Sequence, residues 1–197
     1  MEVKRNIPKV LAKELKSKKK GVVGISLTTD PYQPAEKKYK LTRFCLEQLA
    51  RYQFPVSILT KSPLITRDMD ILTNFKELEV GLTLTTINDS ERKILEPNAP
   101  EIKSRLAALK KISREGITTY AFLGPLYPTM NEEDIEELVG KIKDAGVPRI
   151  STDRLNLKPG VWNSVHLALK GYPGDLTVWE ESVKGDGTNY KGLFFFT

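Results

Sequence analysis

A lysine stands at position 61, directly after an apolar run, in Leu59-Thr60-Lys61-Ser62-Pro63. An ammonium leaving a buried strand needs an anionic partner. Ser62-Pro63 reads as a helix cap and first helical residue, and the free N–H groups of such a start favour anions. Lys61 and Ser62 therefore suit a carboxylate, a phosphate or a ribose oxygen. Polar or tight strand ends recur at Thr28-Thr29-Asp30, Thr83 with Thr85-Thr86, Gly124-Pro125 and Ser151-Thr152-Asp153. A strand meeting its loop explains any one of these, and explains Lys61 least easily. The pieces for other chemistries are missing. His166, the single histidine, reads as a surface or satisfied side chain rather than a base. Cys45, the single cysteine, falls on the inward face of a helix and offers no disulfide and no metal-binding cluster. No histidine neighbours the Ser and Thr residues for triad chemistry, and no Walker-type or dinucleotide glycine motif occurs. The acidic residues Glu132 to Glu137 read as a helix's first turn and solvated face.

The elements that must hold these residues alternate along the chain. Strands are expected at 22–27, 55–59, 79–84, 117–123 and 147–151. Asn6, with Pro8, opens a helix that runs to Gly21 and carries Val10, Leu11 and Leu15 on one face. Further helices are expected at 35–52, from Pro63, from Asn88 with Glu91 as a capping box, at 100–115, at 132–145 under an Asn131 cap, and at 161–169. The residues after Tyr172 have no clear assignment. Near-continuous apolar strands alternating with amphipathic helices imply an α/β fold, a parallel sheet covered by helices and curved toward a partial barrel. In such folds the carboxyl ends of the strands share one rim, where the site lies. The polar strand ends then become walls of one pocket.

With 197 residues, 40% hydrophobic and 28% charged, the chain supports one well-cored domain. No apolar run approaches membrane-spanning length, and residues 1–20 are basic without an apolar signal core. The expectation is a cytoplasmic protein with no membrane partner. A net charge of +6 permits nucleic acid as a partner, although a lysine-rich solvated surface is the preferred reading.

An ordered set of motifs carries a resemblance. "TDPYQPAEKKYKLTR", "PVSILTKSPLITRDMDIL", "VGLTLTT", "LEPNAP" followed by "RLAALKKISREGI", and "GPLYP" resemble the radical SAM proteins related to spore photoproduct lyase. The resemblance covers residues 3–162. It implies a partial (β/α) TIM-like barrel of the radical SAM type, here about five parallel strands with outer helices and the first strand missing. It implies a core domain over 1–171 and a C-terminal extension over 172–197. It also implies S-adenosylmethionine bound beside a [4Fe-4S] cluster and cleaved reductively to a 5′-deoxyadenosyl radical, which abstracts hydrogen from a substrate. By resemblance, Thr28, Thr29 and Asp30 lie where the methionine amino group is met. Lys61, Ser62, Thr83 and Thr85 lie along the wall facing the nucleoside or carboxylate. Glu96 and Arg105 lie near the same wall, as ligands or as a structural ion pair. Tyr32 and Gln33 face the pocket or fix the turn.

The chain departs from the family in one respect. The family's C-x3-C-x2-C segment, whose thiolates hold the cluster, has no counterpart here. The sequence begins where the helix after the cluster loop is expected. The cluster can form only if an upstream or separate segment supplies the cysteines, and the exposed strand 22–27 is expected to pair with that segment or with another chain. Three readings stay open: a fragment of a radical SAM enzyme, a cluster-free module binding an adenosine-like or nucleic-acid ligand, and a phosphometabolite-binding barrel enzyme.

Overall fold

The computed structural model describes residues 3–25, 29–153, 160–172, 174 and 176–184. Five strands, β1 (Val23–Ile25), β2 (Val56–Thr60), β3 (Leu78–Thr83), β4 (Thr118–Leu123) and β5 (Ile150–Thr152), form one sheet in the order β1-β2-β3-β4-β5. Every pair is parallel, with Ile58 opposite Val80 and Leu82 opposite Ala121. Val56, Ile58, Val80, Leu82, Ala121 and Leu123 are buried in the main core, which the helices complete. Residues 26–27, the end of the first expected strand, and Thr28 after it lie outside the described residues. Among the described residues β1 pairs with β2 alone, and Val22 before it is exposed.

The helices follow local chemistry. In α6 (Ile102–Arg114), Ile102, Arg105, Ala108, Leu109 and Ile112 are buried; α7 (Glu132–Asp144) opens with a full capping box between Asn131 and Asp134. Gly116 and Gly146, at φ 76° and 75°, end these two helices in a conformation that other residues adopt only with strain. The remaining elements are α1 (Ile7–Glu14), α2 (Glu36–Tyr39), α3 (Leu41–Tyr52), a 3₁₀ helix (Pro63–Asp68), α4 (Met69–Leu72), α5 (Asp89–Leu95), α8 (Val161–Leu169) and α9 (Thr177–Lys184).

Several expectations need correction. α1 stops at Glu14, well before Gly21; Asn6 makes no side-chain cap, and Val10 is 46% exposed while Leu15 is buried. The helix expected over 35–52 is two helices, broken at Lys40 with φ 52°. The reason is Glu36, whose carboxylate accepts the N–H groups of Thr42 (3.0 Å) and Arg43 (3.3 Å) and so caps α3 from the preceding turn. The Asn88 box is half formed: Asn88 accepts from Ser90 and Glu91 N–H, but the Glu91 carboxylate turns to the hydroxyls of Thr86 and Thr129. β5 starts at Ile150 rather than Val147, because Val147 is buried and its N–H bonds the Ile142 carbonyl at the end of α7. α9 was not expected.

Gly81 sits opposite Tyr120 in the register, and a Cβ there would fall 2.2 Å from the phenol ring's Cζ. The guanidinium of Arg149 lies over the ring's centroid at 4.9 Å and restricts its escape. Gly81→Ala is expected to destabilise the fold by about 1–3 kcal/mol, the usual cost of overpacking. Tyr120→Val should relieve most of that cost in a double-mutant cycle read by urea unfolding; additive effects would contradict the steric account.

Candidate functional site

The carboxyl ends of β2 and β3 are bound together by charge. Lys61, one residue past β2, donates to Glu96 Oε1 at 2.5 Å, and Arg105 donates to Glu96 Oε2 at 2.8 Å. The Arg105 side chain is 0% exposed. It also donates to the carbonyls of Pro100 and Thr83, both at 2.9 Å. It therefore ties the end of β3 to the Glu96–Pro100 loop. Burial pulls the Glu96 carboxyl upward, and the two cations overcome that pull, so it titrates below its ordinary value.

Asp30 makes a second clamp. Its Oδ1 accepts from Tyr32 N–H at 2.8 Å and from the Thr60 hydroxyl at 2.7 Å; its Oδ2 accepts from Lys61 N–H at 2.7 Å. The Asp30 carboxylate thus fastens its corner to the end of β2 through three hydrogen bonds. Ser62 caps the 3₁₀ helix by accepting from Leu64 N–H at 3.3 Å, while its own N–H bonds Thr60 Oγ1.

Between these clamps lies a cleft of about 620 Å³, lined by Asp30, Tyr32, Gln33, Lys61, Ser62 and Glu96 among others. That volume falls within the roughly 300–1,000 Å³ range of small-molecule pockets. Gln33 lines the cleft together with Tyr32, whose hydroxyl is turned into the protein and donates to Asp68 at 3.1 Å. The remaining expected residues stand elsewhere. Thr29 lines a separate groove beside β1 and α1, Thr28 lies outside the described residues, and Thr83 and Thr85 are buried. Thr85 Oγ1 approaches the Tyr127 phenol without reaching hydrogen-bond geometry. Burial and nearby Glu96 hold that phenol above its usual range.

Sequence reading missed three contributors. Asp68 is fully buried and anchors Tyr32, Arg43 and Arg67. Glu91, also buried, accepts from Thr86, Thr129 and Tyr172. Trp179 of α9 packs on Tyr127, ring centroids 5.4 Å apart. A single acid carries no local sign of burial, so Asp68 and the inward turn of Glu91 were not legible; Trp179 lies beyond Tyr172, where the residues carry no clear assignment. The other candidates are set aside by their surroundings: His166 is exposed beside Trp162, and Cys45 is half-buried, with burial pushing its thiol up to about 11.

Against this geometry the comparisons are clear. A family model for the radical SAM superfamily matches residues 6–142. The chain belongs to that superfamily. An uncharacterised protein of Methanocaldococcus jannaschii is 39% identical over 142 residues, 72% of this chain and 52% of the relative. The chain spans about half the length of the curated relatives it matches. Spore photoproduct lyase complexed with dinucleoside spore photoproduct matches at TM-score 0.66 and 14% identity, over 87% of this chain and 53% of that one. Streptococcus suis SuiB bound to S-adenosylmethionine matches at TM-score 0.54 and 20% identity, over 68% and 30%. These likenesses establish the fold: the five-stranded parallel sheet is the partial barrel of the superfamily.

The family's cluster does not fit the residues present. It needs three thiolates, and the chain has one cysteine. Among the described residues no group of three or more His, Cys, Asp and Glu could hold a metal ion.

Glu96 yields a pH prediction. Its carboxyl lies below the ordinary 4.5 in the folded state. Its charge therefore stabilises the fold above that value, and the contribution is lost as pH falls through the lowered one. Glu96→Gln is expected to be less stable by about 1–3 kcal/mol at neutral pH, because Arg105 keeps only neutral partners. The gap should narrow below pH 4.5, followed by urea unfolding from pH 3 to 7. A gap independent of pH would remove the charge from the account.

Proposed function

We propose that the rim cleft is an S-adenosylmethionine site in a radical SAM enzyme related to spore photoproduct lyase. The observation that carries this reading is the Lys61–Glu96 pair, standing over the cleft at the strand ends of a chain of this superfamily. A solved neighbour of the same fold has S-adenosylmethionine bound, which supports the reading. Bound beside a reduced cluster, S-adenosylmethionine would supply reductive cleavage and hydrogen-atom abstraction.

The chain's own residues then divide the work. Lys61 spends one of its three N–H donors on Glu96 and keeps the others for a carboxylate or ribose oxygen. Glu96 keeps lone pairs for ribose hydroxyls. Ser62 and Gln33 line the same wall. Asp30 and Arg105 are positioning residues, because their polar atoms are used within the chain. Thr83 and Thr85 are buried and do not line the cleft; the Thr83 carbonyl holds Arg105 in place.

The cluster thiolates come, in this reading, from a segment that pairs with the side of β1 that has no strand partner among the described residues. Iron and sulfide reconstitution of this chain alone should give no stoichiometric [4Fe-4S] signal by iron analysis and EPR. A full cluster on the single-cysteine chain would contradict the ligand count.

In protein carrying the cluster, Lys61→Ala should weaken S-adenosylmethionine binding by about 1.5–3 kcal/mol, the scale of a lost charge-assisted hydrogen bond. Lys61→Arg should be impaired as well, since a planar fork does not replace a compact ammonium. Calorimetric titration decides. Unchanged affinity in both variants would mean that Lys61 serves Glu96 alone.

A further inference from the structure

A second recess adjoins the cleft. It measures about 260 Å³ and is bounded by Leu95, Pro125, Leu126 and Tyr127 on the rim, by Val165 and Ala168 of α8, and by Trp179 of α9. Lys61, Leu95 and Glu96 line both spaces, so the ion pair is the wall between them. Beyond that pair, its polar groups are Ser164, whose hydroxyl is spent on the Gly160 carbonyl at 3.1 Å, the Trp179 indole N–H and the buried Tyr127 hydroxyl, which has no hydrogen-bond partner among the described residues. The rest of its wall is apolar.

The helices that close it are firmly placed. Tyr127, Leu169 and Trp179 form a buried cluster of their own, with Leu95, Trp162, Val165, Tyr172 and Leu176 packed around it. Tyr172, between the two helices, donates to the buried Glu91 at 3.3 Å. Trp179 is 2% exposed and meets Tyr127 at 57°, so two aromatic faces form a corner of the recess. The recess is partly open to solvent, and its aromatic and aliphatic walls suit an apolar group that enters from the cleft side. An apolar cavity of about 150 Å³ is known to hold benzene. This recess therefore has room for one ring with a small substituent.

We propose that the recess is a specificity subsite that takes a single-ring aromatic group of the substrate, with Trp179, Tyr127, Val165 and Ala168 as its walls. It rests on the reading of the neighbouring cleft as the cofactor site. The ring is stacked in the aromatic corner, and the rest of the substrate is carried over the Lys61–Glu96 wall toward the cofactor. The C-terminal helices thereby set substrate choice, while the strand ends hold the cofactor. Tilted ring pairs give such a corner a preference for an aromatic over an aliphatic guest.

The test uses the full chain. The protein has two tryptophans, so a Trp162→Phe background leaves Trp179 as the sole indole reporter. Toluene and methylcyclohexane are titrated in turn, and Trp179 emission is followed. Toluene should give a saturable change at least five-fold tighter than methylcyclohexane. Ala168→Phe in the same background should weaken toluene binding at least ten-fold while far-UV circular dichroism is unchanged. Ala168→Leu, a smaller filler, replaces it if Ala168→Phe fails to fold, and should weaken toluene binding at least three-fold. No saturable response in the background protein, no preference for the ring, or equal binding in the filled variant would each overturn the subsite. S-adenosylmethionine titrated by calorimetry into the same background protein carrying the cluster, as for the Lys61 variants, keeps the two readings apart. Toluene binding without S-adenosylmethionine binding removes the cofactor reading and keeps the recess as an aromatic site; the reverse result removes the recess.

Discussion

A guanidinium with no exposure to solvent must be answered by the fold, and Arg105 is that group. Stripping water from an ion costs several kcal/mol, recovered only when charge and hydrogen bonds are both supplied. Glu96 supplies the charge; the carbonyls of Pro100 and Thr83 supply the rest. Those acceptors belong to the end of β3 and to the loop after α5. Satisfying Arg105 therefore fixes where that loop runs and how Glu96 is aimed. Lys61 takes the second Glu96 oxygen, and the ends of β2 and β3 become one wall. The cleft and the recess lie on either side of that wall.

The corner after β1 obeys the same constraint with the signs reversed. Asp68 is a fully buried carboxylate and is met by Arg43 at 3.0 Å, Arg67 at 2.7 Å and the Tyr32 hydroxyl. Arg67 reaches on to Glu36 at 2.9 Å, and Glu36 caps α3. The break at Lys40 is thus part of a chain of answered charges that runs from the 3₁₀ helix to α3. Burial, with the charge and hydrogen bond of Asp68 added, raises the Tyr32 phenol well above its usual range, so the group stays a donor. Asp30 then joins this corner to β2 through backbone and hydroxyl donors. Rigid corners of this kind hold a binding wall in place without the ligand's help.

The C-terminal helices answer a different need. Glu91 is buried and is met by three hydroxyls, from Thr86 after β3, Thr129 after β4 and Tyr172 after α8. Neutral donors satisfy a carboxylate less fully than a cation does. Their value lies in drawing three separate segments to one point. Trp179 on Tyr127 adds the apolar half of that joint.

Some of this was legible before any coordinates. Strands of near-continuous Val, Ile and Leu, alternating with capped amphipathic helices, determined a parallel sheet, because only burial on both faces suits such strands. Caps written in neighbouring residues, as at Asn131 and Ser62, were readable for the same local reason. So were the rim and the need of Lys61 for an anion. The ordered motifs named the family, and the match over residues 6–142 bears that out. Helix α9 was not readable, since Trp179 packs on Tyr127 far along the chain; nor was the break at Lys40, where Glu36 caps α3 and is itself held by Arg67 from the 3₁₀ helix. Nor could the sequence divide the polar rim residues between contact and support. Asp30 looks like a ligand in a string of letters, and Glu96 with Arg105 reads as ligands or as an ion pair; the tertiary structure shows that ion pair, and Asp30 engaged by Tyr32, Thr60 and Lys61. Residue type and spacing determine which groups can reach a site. Long-range packing decides which of them still have a bond to offer there.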